Sequence, residues 1–310
     1  MTTSPGPYGE LDLTGRVCIV TGAAQGIGAA EARLLARRGA AVLCADLADT
    51  GPLVAEIRDG GGVAASWQGD VSLPGAAEDV LAAAGRFDAP VSVLVNNAGV
   101  VRDRMVFNLS DEDWDTVLAV NLTAPFRLCR ALARHWREQP KATGRRIVNT
   151  SSESGLYGNA GQSNYAAAKA GLASFTLTLA AELARYGACV NAIAPRARTP
   201  MSEAAFGRLP GGGDALPAEA VAAVVAWLAA PSGEDVTGQV FVVAGDTVHR
   251  MRTWSPVHTA RQPRDWSPES AARFREAVFA DAPTRHEPAP IADLFTGPPA
   301  DEPVAEEIGA

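Results

Sequence analysis

The chain has 310 residues, 47% hydrophobic and 20% charged, with 27 Lys+Arg against 35 Asp+Glu and a net charge of −8. That balance is ordinary for a folded globular protein, and the length allows one large α/β domain or two small ones. It argues against non-specific nucleic-acid binding, which needs a basic face to neutralise phosphates.

The opening MTTSPGPYGELDLTG has no basic start, apolar centre or small-residue cleavage site, so no signal peptide is expected. No apolar run reaches membrane-spanning length free of charge, so a cytoplasmic location and no membrane partner are expected. Cys18, Cys44, Cys129 and Cys189 lie far apart with no CxxC or Cys/His spacing, which reads as free thiols in a reducing compartment and no metal site.

Residues 1–12 carry two prolines and two glycines and read as a flexible arm. Residues 16–20 are a short apolar run, followed at once by TGAAQGIG at 21–28 and the apolar-periodic AAEARLLARRGA. That order is strand, glycine turn, helix. Gly22, Gly26 and Gly28 permit positive φ and close approach of a ligand to the backbone, and the helix start offers free N–H groups to a pyrophosphate.

A second apolar run at 40–45 ends in Asp46, 24 residues after Gly22. A carboxylate at the end of the second strand accepts hydrogen bonds from the adenosine ribose and repels a 2′-phosphate. No Arg or Lys at 23–25 or 47–49 offsets it, so NAD is expected over NADP. The alternation continues: a polar helix ending near Gly60, a run to Gly69, Asp70 and Val71, a helix over 74–85, then VSVLV at 91–95 leading into NNAG at 96–99. Strands alternating with helices imply βαβ units, hence an α/β fold with a doubly wound parallel sheet of Rossmann type. Ligands bind such a sheet at the carboxyl ends of its strands, where the glycine turn, Asp46, Asp70 and Asn97 would gather.

SDEDW at 110–114 reads as a capped helix start, and the helix would run through Asn121 toward Trp136. Asparagine competes for backbone partners inside a helix, so Asn121 breaks a local rule and is a functional candidate. RRIVNTSS at 145–152 reads as a strand ending in Ser152. Tyr165 and Lys169 follow, four apart in an alanine-rich helix and therefore on one face. If the intervening loop folds back, Ser152 meets them. A lysine charge beside a phenol favours the phenolate, so Tyr165 is expected below its ordinary pKa and suited to proton transfer. The chain has only two lysines, Lys141 and Lys169, and one stands here.

ACVNAIAP at 188–195 reads as a further strand. Residues 196–216, with Gly211 to Gly213 as a hinge, read as a substrate lid. Arg196, Arg198 and Arg208 near it suit an anionic group such as a CoA phosphate. A helix over 217–230 and a last strand over 238–245 close the sheet. The catalytic domain is thus expected over 13–248. Nine of the 21 prolines and three of the four histidines fall in 249–310, which reads as an extension with one helix over 268–281 and a disordered end. Trp254 and Trp266 are expected to anchor it. His249, His258 and His286 have no ligand-like spacing.

The glycine turn at 21–28, Asp46, Asp70 with Val71, NNAG at 96–99, Asn121, Ser152 and YxxxK at 165–169 together resemble the short-chain dehydrogenase/reductase family across roughly residues 13–248. The detail is most similar to actinobacterial members and to the hydroxyacyl-CoA dehydrogenase domains of peroxisomal multifunctional enzymes. The resemblance implies an NAD-dependent oxidoreductase acting on a secondary alcohol or ketone. A 3-hydroxyacyl thioester, a steroid or a secondary-metabolite alcohol would each fit.

It implies Tyr165 as general acid/base, Lys169 and Ser152 as its partners and Asn121 as support for a water relay. Thr21, Gly22, Gln25, Gly26, Ile27, Gly28, Asp46, Asp70, Val71, Asn97, Ala98 and Gly99 would hold the cofactor, with Tyr165 and Lys169. The family's usual proline–glycine pair is Pro195–Arg196 here, and Thr199, its implied nicotinamide contact, comes one residue early. A homodimer or homotetramer is implied, with helices around 115–135 and 165–186 at the interface. Two other readings are weighed: internal redox on bound NAD, giving net epimerisation or elimination, keeps the same residues, whereas a cofactor-binding regulator without chemistry would be expected to lose one of Ser152, Tyr165 or Lys169, and all three are present.

Overall fold

The computed structural model describes residues 11–142, 144–198, 216–252, 254, 256 and 259–279. Thr199, Arg208, Gly211 to Gly213, His258 and His286 lie outside the described residues, as do positions 1–10 of the N-terminal arm and the chain after 279.

Eight strands form one sheet in the order β3-β2-β1-β4-β5-β6-β7-β8. They are β1 (Val17–Thr21), β2 (Ala41–Asp46), β3 (Val63–Gln68), β4 (Val91–Asn96), β5 (Arg145–Thr150), β6 (Ala188–Arg196), β7 (Val240–Ala244) and β8 (Thr247–Arg250). All neighbours run parallel except the last pair. In β1, β4 and β5 every residue is buried because helices cover both faces; β1 and β4 are accordingly mostly apolar without alternation, while β5 buries Arg145, Arg146, Asn149 and Thr150 beside Ile147 and Val148. Strand β8 was not foreseen: four residues, TVHR, pair antiparallel with β7 across a two-residue turn, an exposed edge with no apolar run to announce it.

The helices are α1 (Gly26–Arg37), α2 (Gly51–Asp59), α3 (Ala76–Ala84), α4 (Asp111–Leu118), α5 (Ala124–Arg137), α6 (Glu153–Tyr157), α7 (Ser163–Leu183) and α8 (Ala218–Ala229). Leu35 of α1, Leu53 of α2 and Leu228 of α8 enter one core layer. Val80 of α3, Leu128 and Leu132 of α5 and Leu179 of α7 enter the other. Burying each such side chain contributes roughly 1.5–3 kcal/mol. The strand order reverses between β1 and β4, so connections leave their carboxyl ends in opposite directions and open a crevice there.

Helices α4 and α5 are joined without a loop by a π-helical turn, Ala119–Thr123. The long helix expected through Asn121 is therefore present, with one widened turn centred on that residue. Helix α6 was not foreseen. It is a single turn capped by Ser152, whose Oγ accepts the Ser154 N–H at 3.2 Å.

Residues 1–251 form one compact unit and 252–310 a second. In the second, α9 (Pro268–Phe279) starts at Ser267, whose hydroxyl accepts the Ser270 N–H at 3.2 Å. Trp266 packs edge-on against Phe274 with ring centroids 5.2 Å apart. Trp254, expected as an anchor, is 90% exposed. Among the described residues no helix is long and apolar enough to cross a membrane.

Candidate active site

At the carboxyl ends of β1 and β4 the chain builds a cleft of about 540 Å³. Its floor is the turn between β1 and α1. Gly22 has φ +69°, and a side-chain Cβ there would lie 2.8 Å from the Ala98 Cα. A Cβ on Gly28 would collide with the Gly22 carbonyl and the Asn97 amide. Both positions therefore need glycine, Gly22 for conformation and contact, Gly28 for contact alone. Gln25, Gly26 and Ile27 line the same wall. The first N–H groups of α1 have no intrahelical partner and would be open to a ligand bound in the cleft.

Thr21 and Asn97 tie β1 to β4. The Thr21 hydroxyl accepts the N–H groups of Asn97 and Ala98, each at 3.1 Å. The Asn97 amide donates to the carbonyls of Thr21 (3.0 Å) and Gly22 (3.2 Å). Thr21 and Gly28 thus shape the floor without lining the cleft, while Asn97, Ala98 and Gly99 line it.

Asp46 stands at the end of β2. Its carboxylate accepts the Ala24 N–H and the Ala48 N–H, both at 2.9 Å, so it braces the glycine turn as well as facing the cleft. Asp70 and Val71 line the cleft beyond it, and the Asp70 carboxylate accepts the Ser72 N–H at 2.8 Å.

Ser152, Tyr165 and Lys169 come together on the opposite wall. Lys169 is buried, its Nζ donates to the Thr150 carbonyl at 2.7 Å, and it sits 5.5 Å from the centre of the Tyr165 ring. Burial alone pushes its ammonium down to about 7. The Tyr165 phenol is pushed up from its ordinary value by burial; the Ser152 hydroxyl draws it down and the Asp103 charge raises it. The expected lowering of Tyr165 by Lys169 is thus reversed in the protein as it stands. Spacing places two groups together, but the buried phenolate loses more hydration than it gains, and Lys169 is itself driven toward neutrality.

Asn121 lies behind this wall. The widened turn frees its amide to donate to the carbonyls of Val100 (2.8 Å) and Val117 (3.0 Å). Its Oδ1 is buried with no partner among the described residues. A Cβ on Gly99 would lie 2.8 Å from that oxygen and 3.6 Å from Lys169 Nζ, so the glycine keeps open the corner where the two meet.

Arg196 is no free cation. Its Nε lies 3.3 Å from Glu153 Oε2, both side chains being largely buried. Burial raises the Glu153 carboxyl above its ordinary range, against the pull of Arg196. Arg102, Thr116, Val120 and Ala197 also line the cleft and were not singled out from sequence. Thr116 and Val120 stand four apart beside Asn121, a face that helical spacing would have marked.

The pattern described as short chain dehydrogenase matches residues 16–207. Hydroxyacyl-CoA dehydrogenase ChsB1 of Mycobacterium tuberculosis is 46% identical over 275 residues, covering 84% of this chain and 86% of that protein. 3-Oxoacyl-[acyl-carrier-protein] reductase FabG of Vibrio cholerae is 38% identical over 247 residues, covering 76% of this chain and 98% of that protein. The crystal structure of a short chain dehydrogenase from Mycobacterium avium superposes with a TM-score of 0.80 at 38% identity, covering 91% of this chain and 99% of that one.

Proposed function

The chain belongs to the short-chain dehydrogenase family and is an oxidoreductase, and from that premise we propose that it interconverts a secondary alcohol and a ketone with NAD as cofactor. The observation that carries this reading is the meeting of Ser152, Tyr165 and Lys169 across one cleft from the glycine turn. We take the substrate to be a 3-hydroxyacyl or 3-oxoacyl thioester, because the names of two similar proteins specify acyl-CoA and acyl-carrier-protein chemistry.

The residues present fit a dinucleotide. Gly22 and Gly28 keep the turn clear where a Cβ would collide, the start of α1 would offer N–H groups to a pyrophosphate, and Asp46 at the end of β2 would accept the hydroxyls of the adenosine ribose. When bound, the nicotinamide supplies the hydride donor or acceptor. With no cation beside Asp46 at 47–49, NAD is the cofactor of choice.

Tyr165 gives a proton to the ketone oxygen or takes one from the alcohol. Ser152 donates a hydrogen bond to that oxygen, stabilising the charge that develops on it. Lys169 holds the nicotinamide ribose and, when charged, brings the phenol down toward the working range. The unpartnered Asn121 Oδ1 holds a water that exchanges the Tyr165 proton with solvent through Lys169.

We further propose a homo-oligomer that uses a second groove, apart from the cleft. It measures about 580 Å³ and runs between α5 and α7, with Phe126, Phe175 and Leu179 among its lining.

The reading is tested by following NADH absorbance with 3-hydroxyacyl-CoA thioesters of increasing chain length, and in reverse with 3-oxoacyl thioesters. Turnover with NAD(H) is expected. Protein that binds NADH and converts none of these would overturn the substrate class, and turnover with NADP(H) alone would overturn the cofactor choice.

A further inference from the structure

Helix α6 has five residues, too few to hold its own shape, yet it carries Ser152 at its cap. Its position must come from its contacts. On one side it rests on α7: Ser154 Oγ donates to Gln162 Oε1 at 2.7 Å, and a Cβ on Gly155 would lie 2.6 Å from the Ala170 nitrogen. On the other side Glu153, the residue after Ser152, reaches the end of β6 and receives Arg196 Nε at 3.3 Å. The two side chains are 9% and 14% exposed.

We propose that Glu153 and Arg196 are positioning residues that set the Ser152 hydroxyl at the height of the substrate oxygen. β5 and β6 are parallel neighbours, with Thr150 opposite Ile193, so the pair is a strut between their ends. Ser152 lies at one end of that strut. Its Oγ spends one lone pair on the Ser154 N–H, so its remaining hydrogen-bonding directions follow the tilt of α6. A buried guanidinium without its carboxylate would pull toward other acceptors or water, and α6 would tilt with it. Glu153 Oε1 is buried and accepts no hydrogen bond among the described residues; the carboxylate is held there by Arg196, not by a cage of donors. The inference rests on the role given to Ser152 above.

The test is a double-mutant cycle between positions 152 and 153, measured with 3-hydroxybutyryl-CoA and NAD. Ser152→Ala is expected to lower kcat about a hundredfold or more. Glu153→Ala and Arg196→Ala should each lower kcat between about tenfold and a hundredfold, with NADH affinity by fluorescence titration unchanged within about twofold. In the Ser152→Ala background Glu153→Ala should cost almost nothing further, because the hydroxyl it positions is gone. Glu153→Gln keeps the shape of the side chain, should retain intermediate activity, and replaces Glu153→Ala in the cycle if the latter does not fold.

An equal loss from the Glu153 variant in both backgrounds would overturn the proposal while leaving the role of Ser152 intact. Full activity in Ser152→Ala would overturn that role and the proposal together. No turnover by wild-type protein across the thioester series would overturn the substrate class on which the cycle rests, and the proposal with it.

Discussion

Lys169 Nζ donates to the Thr150 carbonyl at 2.7 Å inside the protein, with only 2% of the residue exposed. Its ammonium has a folded pKa of about 7 against roughly 10.4 in an unfolded chain. Below pH 7 both states carry the proton. Between the two values the unfolded state binds more protons, so stability rises with pH, at most about 1.4 kcal/mol per pH unit. Lys169→Met cannot titrate there. Urea unfolding without cofactor should show wild type gaining on Lys169→Met from about pH 7 to pH 9, with no gain from pH 5.5 to 6.5. A constant gap over the whole range would contradict the burial of this charge.

In the proposed mechanism Tyr165→Phe removes the proton carrier and little else. Turnover should fall by about 10²–10⁴, while NADH titration by fluorescence gives an affinity close to wild type. Retained turnover would remove Tyr165 from the chemistry.

Asp46→Ser should relax the proposed preference for NAD. A charge facing a 2′-phosphate at short range near the surface is worth a few kcal/mol, so the ratio of kcat/KM for NAD over NADP should drop about tenfold or more. The Ala24 and Ala48 N–H groups also lose their acceptor, so NAD binding itself should weaken. An unchanged ratio would show that Asp46 only braces the turn.

Gly28→Ala places a methyl group against the Gly22 carbonyl and the Asn97 amide. Overpacking of this kind costs about 1–3 kcal/mol, and here it deforms the turn. Lower Tm and weaker NADH binding should appear together; loss of neither would mean the turn has slack.

Glu31 on α1 is fully buried, and neither carboxylate oxygen has a partner among the described residues. Burial holds its carboxyl well above the usual range, so the folded state keeps a proton that the unfolded chain releases near pH 4.3. That stability is present below pH ~4.3 and is lost as pH rises through the folded pKa. Glu31→Met, of similar volume, should raise Tm by several degrees for a gain of roughly 1–3 kcal/mol, more at pH 8 than at pH 4.5. Thermal melts at the two pH values decide it.

Strands β1 and β4 were legible because helices on both faces made them nearly continuous apolar runs. The meeting of Ser152 with Tyr165 was legible for a different reason: a strand end and a helix face need only one fold-back to join. β8 and α6 were not, since four edge residues with a single apolar one among them and one turn containing a glycine carry no period. The pairing of Glu153 with Arg196 was out of reach, as 43 residues separate them and only the adjacency of β5 and β6 brings them together. The direction of the Tyr165 shift failed for a deeper reason. Spacing reports which charges are near, and burial, which decided the sign, is a property of the packed whole.

The widened turn at 119–123 has a consequence far from Asn121. One extra residue per turn rotates everything after it by about 100° relative to a regular helix. The faces that α4 and α5 present are therefore set by that one insertion. Phe126 and Arg130, on the groove between α5 and α7, look outward only in that phase. Deleting a single residue from 119–123 would regularise the helix and swing this face toward the core. Asn121 and the outer surface of α5 are thus set by one turn, and neither can be re-registered without the other.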